Sequence, residues 1–171
     1  MGKVLTYERF PARIVWLTGI FSTVIYFLGA YIMLQPGWIA LALYLVYILF
    51  LEYRLLSKHC VNCYYWGEIC AFGKGRVSSW FFRKGEISKF CAKEFTWKDM
   101  IPDLLVSLTP LITGVVFLII NFNIILLMAI LLLIGLSTAG NGFIRGSLAC
   151  KYCKQRELGC LAEKLFNKTD E

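Results

Sequence analysis

Two long apolar stretches divide the sequence into spanning and polar parts. Residues 14–51 (38 residues) and 104–144 (41 residues) contain no Asp, Glu, Lys, Arg or His. A helix that crosses the hydrocarbon core needs about 20 apolar residues, so each stretch is long enough for two spans. Turn residues stand near the middle of each stretch, Pro36-Gly37 in the first and Asn121 with Asn123 in the second. The pattern predicts an all-α integral membrane protein with four transmembrane helices, arranged as two tandem helical hairpins.

The predicted organisation is a single membrane domain over residues 1–171, in which polar segments flank the two hairpins. Pro36-Gly37 is a turn pair that neither neighbouring helix can absorb, which sets the first helix at about 14–34 and the second at about 38–56. The third helix is expected to begin near Met100 and the fourth to run from about 123 to 145. The predicted parts are the N-terminus 1–13, the first hairpin 14–56, a cysteine-bearing aromatic and basic segment 57–99, the second hairpin 100–145, and a cysteine-bearing tail 146–171.

Composition and charge support this class and orient the chain. The sequence is 58% hydrophobic and only 17% charged, with a mean hydropathy of +0.65, which excludes a disordered chain and a small secreted disulfide protein. All 18 Lys and Arg residues lie within residues 3–13, 54–98 and 145–168, at or beyond the same ends of the four predicted helices, and neither predicted turn contains one. Basic residues near helix ends are retained on the cytoplasmic side. We therefore expect a multi-pass protein of the cell membrane with both termini and the middle segment in the cytoplasm.

The seven cysteines reveal an internal duplication. Two three-cysteine segments share the spacing Cys-x2-Cys-x6-Cys, and every cysteine of the second lies 90 residues after its counterpart in the first. Ser57 and Ser147 match at the same offset, as do Lys74 and Lys164. Two copies of one unit in the same orientation suggest parallel repeats related by an axis along the membrane normal. The first triad is Cys60, Cys63 and Cys70, and the second triad is Cys150, Cys153 and Cys160.

Clustered cysteines in a reducing compartment are more often metal ligands or redox-active groups than disulfides. Two-residue spacing lets one turn of chain present two thiolates to one ion or cluster. A third ligand at Cys70 requires the helix to end and bend back, for which Gly67 in the first copy and Gly159 in the second are available. All seven cysteines are therefore predicted metal ligands.

The number of ligands leaves several arrangements open. A closed zinc site or a cubane iron–sulfur cluster takes four protein ligands, and Cys91 can complete the first triad. The second triad needs a fourth ligand from elsewhere, such as His59, a partner subunit or an exogenous group. Alternatively, the six repeat cysteines intermix across the pseudo-twofold axis.

We expect a small membrane protein that holds cysteine-ligated centres, most readily iron–sulfur, at the cytoplasmic membrane surface for electron transfer within a membrane complex. Basic surroundings would attract an acidic soluble electron carrier, and this role suits an electron-transfer or accessory subunit better than a stand-alone enzyme. One alternative is a zinc-stapled membrane scaffold or assembly factor, and another is a membrane thiol–disulfide oxidoreductase. The spans lack the buried charges that coupled transporters use. Aromatic and basic residues in the middle segment point to the lipid bilayer as partner rather than to nucleic acid.

Overall fold

The computed structural model describes residues 6–92 and 97–158, with side chains described except at 89 and 91–100. Its long helices follow the apolar stretches, and no strand forms among these residues. Short helical segments supplement six principal helices, with a 3-10 turn at Cys60–Asn62 and another at Lys154–Arg156. The principal helices are α1 (Ala12–Met33), α2 (Trp38–Lys58), α3 (Lys74–Phe81), α4 (Ile87–Ala92), α5 (Trp97–Ile120) and α6 (Ile124–Gly135).

Four helical segments are long and apolar enough to cross a membrane: Ala12–Met33, Trp38–Asn62, Ile101–Ile120 and Ile124–Cys150. Only 11% to 22% of the residues in their most apolar windows are buried inside the protein. Large apolar side chains such as Phe27, Ile39 and Ile119 therefore remain exposed, as expected where lipid replaces water as the solvent. The protein is a multi-pass membrane protein, as the sequence predicted.

The turns between spans lie where the sequence predicted them. α1 ends at Met33 and α2 begins at Trp38, with Gly37 at a φ of 125°, a conformation that glycine adopts without steric cost. At the second turn, the Asn123 side chain accepts a hydrogen bond of 2.9 Å from the Ile125 N–H and caps α6.

Two helix boundaries differ from the sequence prediction by more than two residues. α5 begins at Trp97, three residues before Met100. The last span does not end at Arg145, because its helical path continues from α6 through π-helix at Leu136–Gly140, one α-helical turn, and π-helix at Ile144–Cys150. No proline and no left-handed glycine interrupts that path, so the helix continues past Arg145 and the candidate span runs to Cys150.

The chain divides into two compact units, one of which contains most of the spanning residues. This helical unit comprises Phe21–Glu52 and Thr96–Asn141. Its core joins Ile25 and Ile32 of α1 to Leu126, Ile130 and Leu133 of α6. A second apolar cluster joins Met33 of α1 to Tyr44 and Ile48 of α2, with Val106 of α5 packed against it.

The other unit, here called the cysteine unit, comprises Met1–Ile20, Tyr53–Phe95 and Gly142–Glu171. Its core is a small cluster of four buried residues, Phe10, Tyr65, Ala71 and Ala149. The unit therefore brings together the N-terminal segment, the chain after α2 and the chain after the last span. All predicted ligands belong to it by sequence position.

Candidate cysteine site

The first cysteine segment folds into a series of tight turns directly after α2. The helix ends at Lys58, and the Cys63 N–H donates to the Cys60 carbonyl at 3.3 Å, closing the 3-10 turn. Gly67 then adopts a φ of 81°, in the left-handed region that favours glycine. The predicted end of the helix and the bend at Gly67 are both confirmed. Gly159, the predicted bend of the second copy, lies outside the described residues.

Gly75, at the start of α3, is where the chain comes back into contact with the turns around Gly67 and Cys70. Its N–H lies 3.4 Å from the Cys70 sulfur, and its carbonyl accepts from the Gly67 N–H at 3.1 Å. A Cβ at this position would lie 2.1 Å from the Tyr65 carbonyl oxygen, so only glycine fits. The sequence suggested Gly67 as the bend, whereas the equally necessary Gly75 was not singled out. The signal available in the sequence was its place beside Lys74, five residues after Cys70.

The second cysteine segment repeats the local backbone of the first. The Cys153 N–H donates to the Cys150 carbonyl at 3.2 Å, matching the bond between Cys63 and Cys60 at the 90-residue offset. The next turn matches as well, since the bonds Trp66 N–H to Cys63 carbonyl and Arg156 N–H to Cys153 carbonyl both measure 3.1 Å. Equal spacing in the sequence is therefore accompanied by equal turns in the structure.

The two segments are joined by a reciprocal pair of hydrogen bonds. The Tyr64 N–H donates to the Gln155 Oε1 at 2.7 Å, and the Lys154 N–H donates to the Tyr65 hydroxyl at 2.9 Å. Tyr64 corresponds to Lys154 and Tyr65 to Gln155 at the 90-residue offset. In each copy, one residue donates its backbone N–H to the other copy, and the side chain of the next residue accepts the N–H that the other copy donates. This crossed pair of hydrogen bonds between equivalent positions is here called the latch.

The latch brings thiols of both triads to one aromatic cluster. Cys63, Cys70 and Cys153 all pack against the core that contains Tyr65, which is 1% exposed. Burial raises the pKa of the Tyr65 hydroxyl well above its ordinary value, and the nearby Cys153 and Cys63 raise it further. The hydroxyl therefore stays protonated, accepting from Lys154 while it donates to the Tyr7 carbonyl.

The N-terminal segment forms a strap across both cysteine segments. The Tyr7 N–H donates to the Tyr152 carbonyl and the Phe10 N–H to the Ile69 carbonyl, both at 3.0 Å. An isolated parallel bridge pairs Tyr7 with Cys153. The sequence pattern predicts a cytoplasmic N-terminus at residues 1–13 and does not predict that this segment packs on the cysteine segments. The aromatic residues Tyr7 and Phe10 are the feature of the sequence that could have indicated such packing.

Two exposed ion pairs accompany the strap, one to each cysteine segment. Glu8 lies 3.0 Å from the Lys154 ammonium, which lowers the pKa of Glu8 and raises that of Lys154. Arg9 Nε lies 2.6 Å from Glu68, whose carboxylate raises the pKa of the Arg9 guanidinium. Exposed ion pairs contribute little to the free energy of unfolding. We therefore expect these two pairs to set the register of the strap rather than to stabilise it.

The remaining predicted ligands are placed less fully. Cys91 lies in α4 but its side chain is outside the described set, and Cys160 lies outside the described residues. His59 stands between α2 and the 3-10 turn, where its carbonyl accepts from the Asn62 N–H. Among the side chains that the structure describes, no three from His, Cys, Asp or Glu are grouped closely enough to hold a metal ion. Cys91 and Cys160 are not among these side chains, so the two predicted four-ligand sets stay predictions.

One buried donor beside the first triad lacks an acceptor. The Trp66 indole Nε1, between Cys63 and Cys70 in sequence, is buried without a hydrogen-bond partner among the described residues. An unsatisfied buried donor costs about 1–3 kcal/mol. The Lys84 ammonium lies over the same ring, 6.0 Å from its centroid.

Comparison with known proteins identifies no relative. No family model matches the chain, and neither the curated proteins nor the solved structures contain a significant match.

Proposed function

We propose that this protein holds a cysteine-ligated metal centre, most readily an iron–sulfur cluster, at one membrane surface and passes electrons within a membrane complex. The observation that carries the proposal is the latch, because it brings the Cys-x2-Cys turns of both copies to one core. Cys63 and Cys153 then share the surroundings of Tyr65. This favours the arrangement in which thiolates from the two copies intermix across the pseudo-twofold axis.

Two hydrogen-bond donors of the first cysteine segment also support a bound centre. Hydrogen bonds to sulfur and other outer contacts tune cysteine-ligated clusters and hold their ligands in place. The Gly75 N–H is such a donor to Cys70. The Trp66 indole N–H is a second buried donor, for which a bound centre would supply the acceptor that the described residues lack.

The position of the cysteine segments at the ends of candidate spans favours electron transfer at the membrane over a reaction in solution. The first cysteine of each triad lies at the end of a candidate span, since Cys60 is near the end of Trp38–Asn62 and Cys150 ends Ile124–Cys150. A centre beside the bilayer can exchange electrons between a soluble carrier and a lipid-soluble or protein acceptor. The net charge of +7 favours an acidic carrier.

The proposed orientation places both termini and the cysteine unit in the cytoplasm, since all basic residues lie outside the two turns. A cysteine introduced beside Pro36 or Phe122 should react with an impermeant maleimide added to intact cells. A cysteine introduced near either terminus should react only after permeabilisation. Labelling of the terminal cysteine alone in intact cells would reverse the orientation.

The metal proposal is tested by substitution of single cysteines in protein purified without oxygen. Cys63→Ser and Cys153→Ser should each lower bound iron and sulfide, because both triads contribute thiolates. A shared centre predicts that either change removes nearly all the metal, whereas separate centres predict loss of about half. Metal analysis with a visible absorption spectrum measures this, and Cys91→Ser tests the fourth ligand in the same assay.

A matched control is Ser79→Ala, because the Ser79 hydroxyl donates to the Arg76 carbonyl within α3 and to no other described residue. It should leave the metal content unchanged. Unchanged metal in both Cys63→Ser and Cys153→Ser would contradict the proposal.

The zinc-stapled scaffold stays as a second candidate because the described core of the cysteine unit is small. Only four buried residues, two of them alanines, form that core. A bound metal can supply folding energy to a segment that buries too little apolar surface. A colourless protein that contains zinc and unfolds with a chelator would favour this scaffold over electron transfer.

A further inference from the structure

An exposed aromatic pair ends helix α3. Trp80 is 70% exposed and Phe81 is 72% exposed, although both are large apolar side chains in the cysteine unit. Neither belongs to a candidate span. The pair therefore requires a covering surface that the described residues do not provide.

Contacts with α2 fix this pair beside the end of a span. The buried Ser78 hydroxyl donates to the Leu56 carbonyl at 3.1 Å. The Phe82 ring meets the Tyr53 ring edge-on, with centroids 5.6 Å apart. Leu56 and Tyr53 both lie in the candidate span Trp38–Asn62. Trp80 and Phe81 are thus held near the depth at which that span leaves the hydrocarbon.

Two arginines flank the aromatic pair along the chain. Arg76 lies four residues before Trp80 on α3, a spacing that puts both on one helix face, and Arg83 follows Phe81 by two residues. Both arginines are exposed, and neither forms an ion pair with a described residue. By contrast, Arg9 in the same unit is paired with Glu68.

We propose that the end of α3 is an interfacial anchor that binds anionic phospholipid. Trp80 and Phe81 enter the boundary between headgroups and acyl chains, where amphipathic aromatic rings are favoured. Arg76 and Arg83 bind the phosphate-bearing headgroups of anionic lipids. The occupant is lipid rather than a protein partner, because the contacts to Tyr53 and Leu56 hold the pair beside a span and the patch has the charge opposite to that of anionic headgroups. The proposal does not depend on a metal centre.

Tryptophan quenching in nanodiscs tests the anchor with the full-length protein. The emission of Trp80 is obtained as the difference between wild type and Trp80→Phe. In nanodiscs that contain phosphatidylglycerol, brominated phospholipid should quench this emission and the neutral quencher acrylamide should reach it poorly. In the double variant Arg76→Gln with Arg83→Gln, or in phosphatidylcholine alone, quenching by brominated lipid should fall and quenching by acrylamide should rise.

Trp38 provides the matched control. It is 76% exposed and lies at the opposite end of α2, next to a turn without charged residues. Its emission, measured through Trp38→Phe, should be quenched by brominated lipid equally in both lipid compositions. Thermal unfolding should match the wild type in every variant, since the replaced side chains are exposed.

Three results would overturn the proposal. Trp80 could stay open to acrylamide in phosphatidylglycerol nanodiscs, which would place it in water. It could be shielded from both quenchers, which would indicate a protein partner or a second copy. It could also respond to brominated lipid equally in both compositions, which would remove the role of anionic headgroups.

Discussion

Gly75→Ala is expected to open the first cysteine segment and to release the metal of the proposed centre. An alanine Cβ would lie 2.1 Å from the Tyr65 carbonyl oxygen and 2.8 Å from that of Glu68. Both are backbone atoms that cannot rotate away, so the loop must move and lose the hydrogen bonds of Gly75 to Gly67 and Cys70. Overpacking of this kind costs about 1–3 kcal/mol or more. Thermal unfolding in detergent, limited proteolysis and metal content would measure the effect.

Gly146→Ala is the matched control, because a Cβ there meets no atom within 4 Å. Gly146 also belongs to the cysteine unit and lies in helical backbone. Alanine is favoured over glycine in a helix by about 1 kcal/mol, so this change should be neutral or slightly stabilising. Equal destabilisation by both substitutions would show that the contact with Tyr65 is not the cause.

Tyr44→Phe is expected to destabilise the helical unit. The Tyr44 hydroxyl donates a hydrogen bond to the Val106 carbonyl, which Pro110 leaves without its usual backbone donor. Pro110 lies inside α5 and has no N–H for the Val106 carbonyl four residues earlier. The Tyr44 hydroxyl donates to that carbonyl at 2.9 Å. Loss of this bond in a low-dielectric interior should cost about 1–3 kcal/mol, measured by unfolding in mixed micelles.

A double-mutant cycle with Pro110→Ala identifies the cause. Alanine at 110 restores an N–H that can bond to Val106, so Tyr44→Phe should cost clearly less in that background. The control Tyr53→Phe removes a hydroxyl from a side chain that is 61% exposed and should change stability little. An equal cost of Tyr44→Phe with and without Pro110 would rule out the Val106 bond as its source.

The same tyrosine explains why α1 carries a glycine at position 29. A Cβ on Gly29 would lie 2.1 Å from the Tyr44 hydroxyl oxygen. Small residues at helix contacts in membranes allow the two backbones to approach closely. The close approach of α1 and α2 at Gly29 leaves room for the Tyr44 side chain to reach α5. The sequence identifies Pro110 as a position where neighbours must satisfy a carbonyl, but the spacing along α2 does not identify Tyr44 as that neighbour.

The sequence by itself determined the features that depend on local solvation and backbone chemistry. Apolar runs free of charge set the four candidate spans, and Pro36-Gly37 and Asn123 set the turns between them. The 90-residue offset located the repeated cysteine turns, and Gly67 predicted the bend after Cys63. Each of these follows from a few neighbouring residues, whose preferences outweigh distant contacts.

Only the tertiary structure decided which distant residues complete one another. Tyr65 and Gln155 are unlike side chains at equivalent positions, so the repeat pattern did not indicate that each accepts an N–H from the opposite copy. The strap at Tyr7 and the need for glycine at Gly75 likewise depend on backbone atoms brought together from remote parts of the chain. Such contacts arise when separate segments share one small core. The sequence gives the residue types of these segments but does not indicate which residues come into contact.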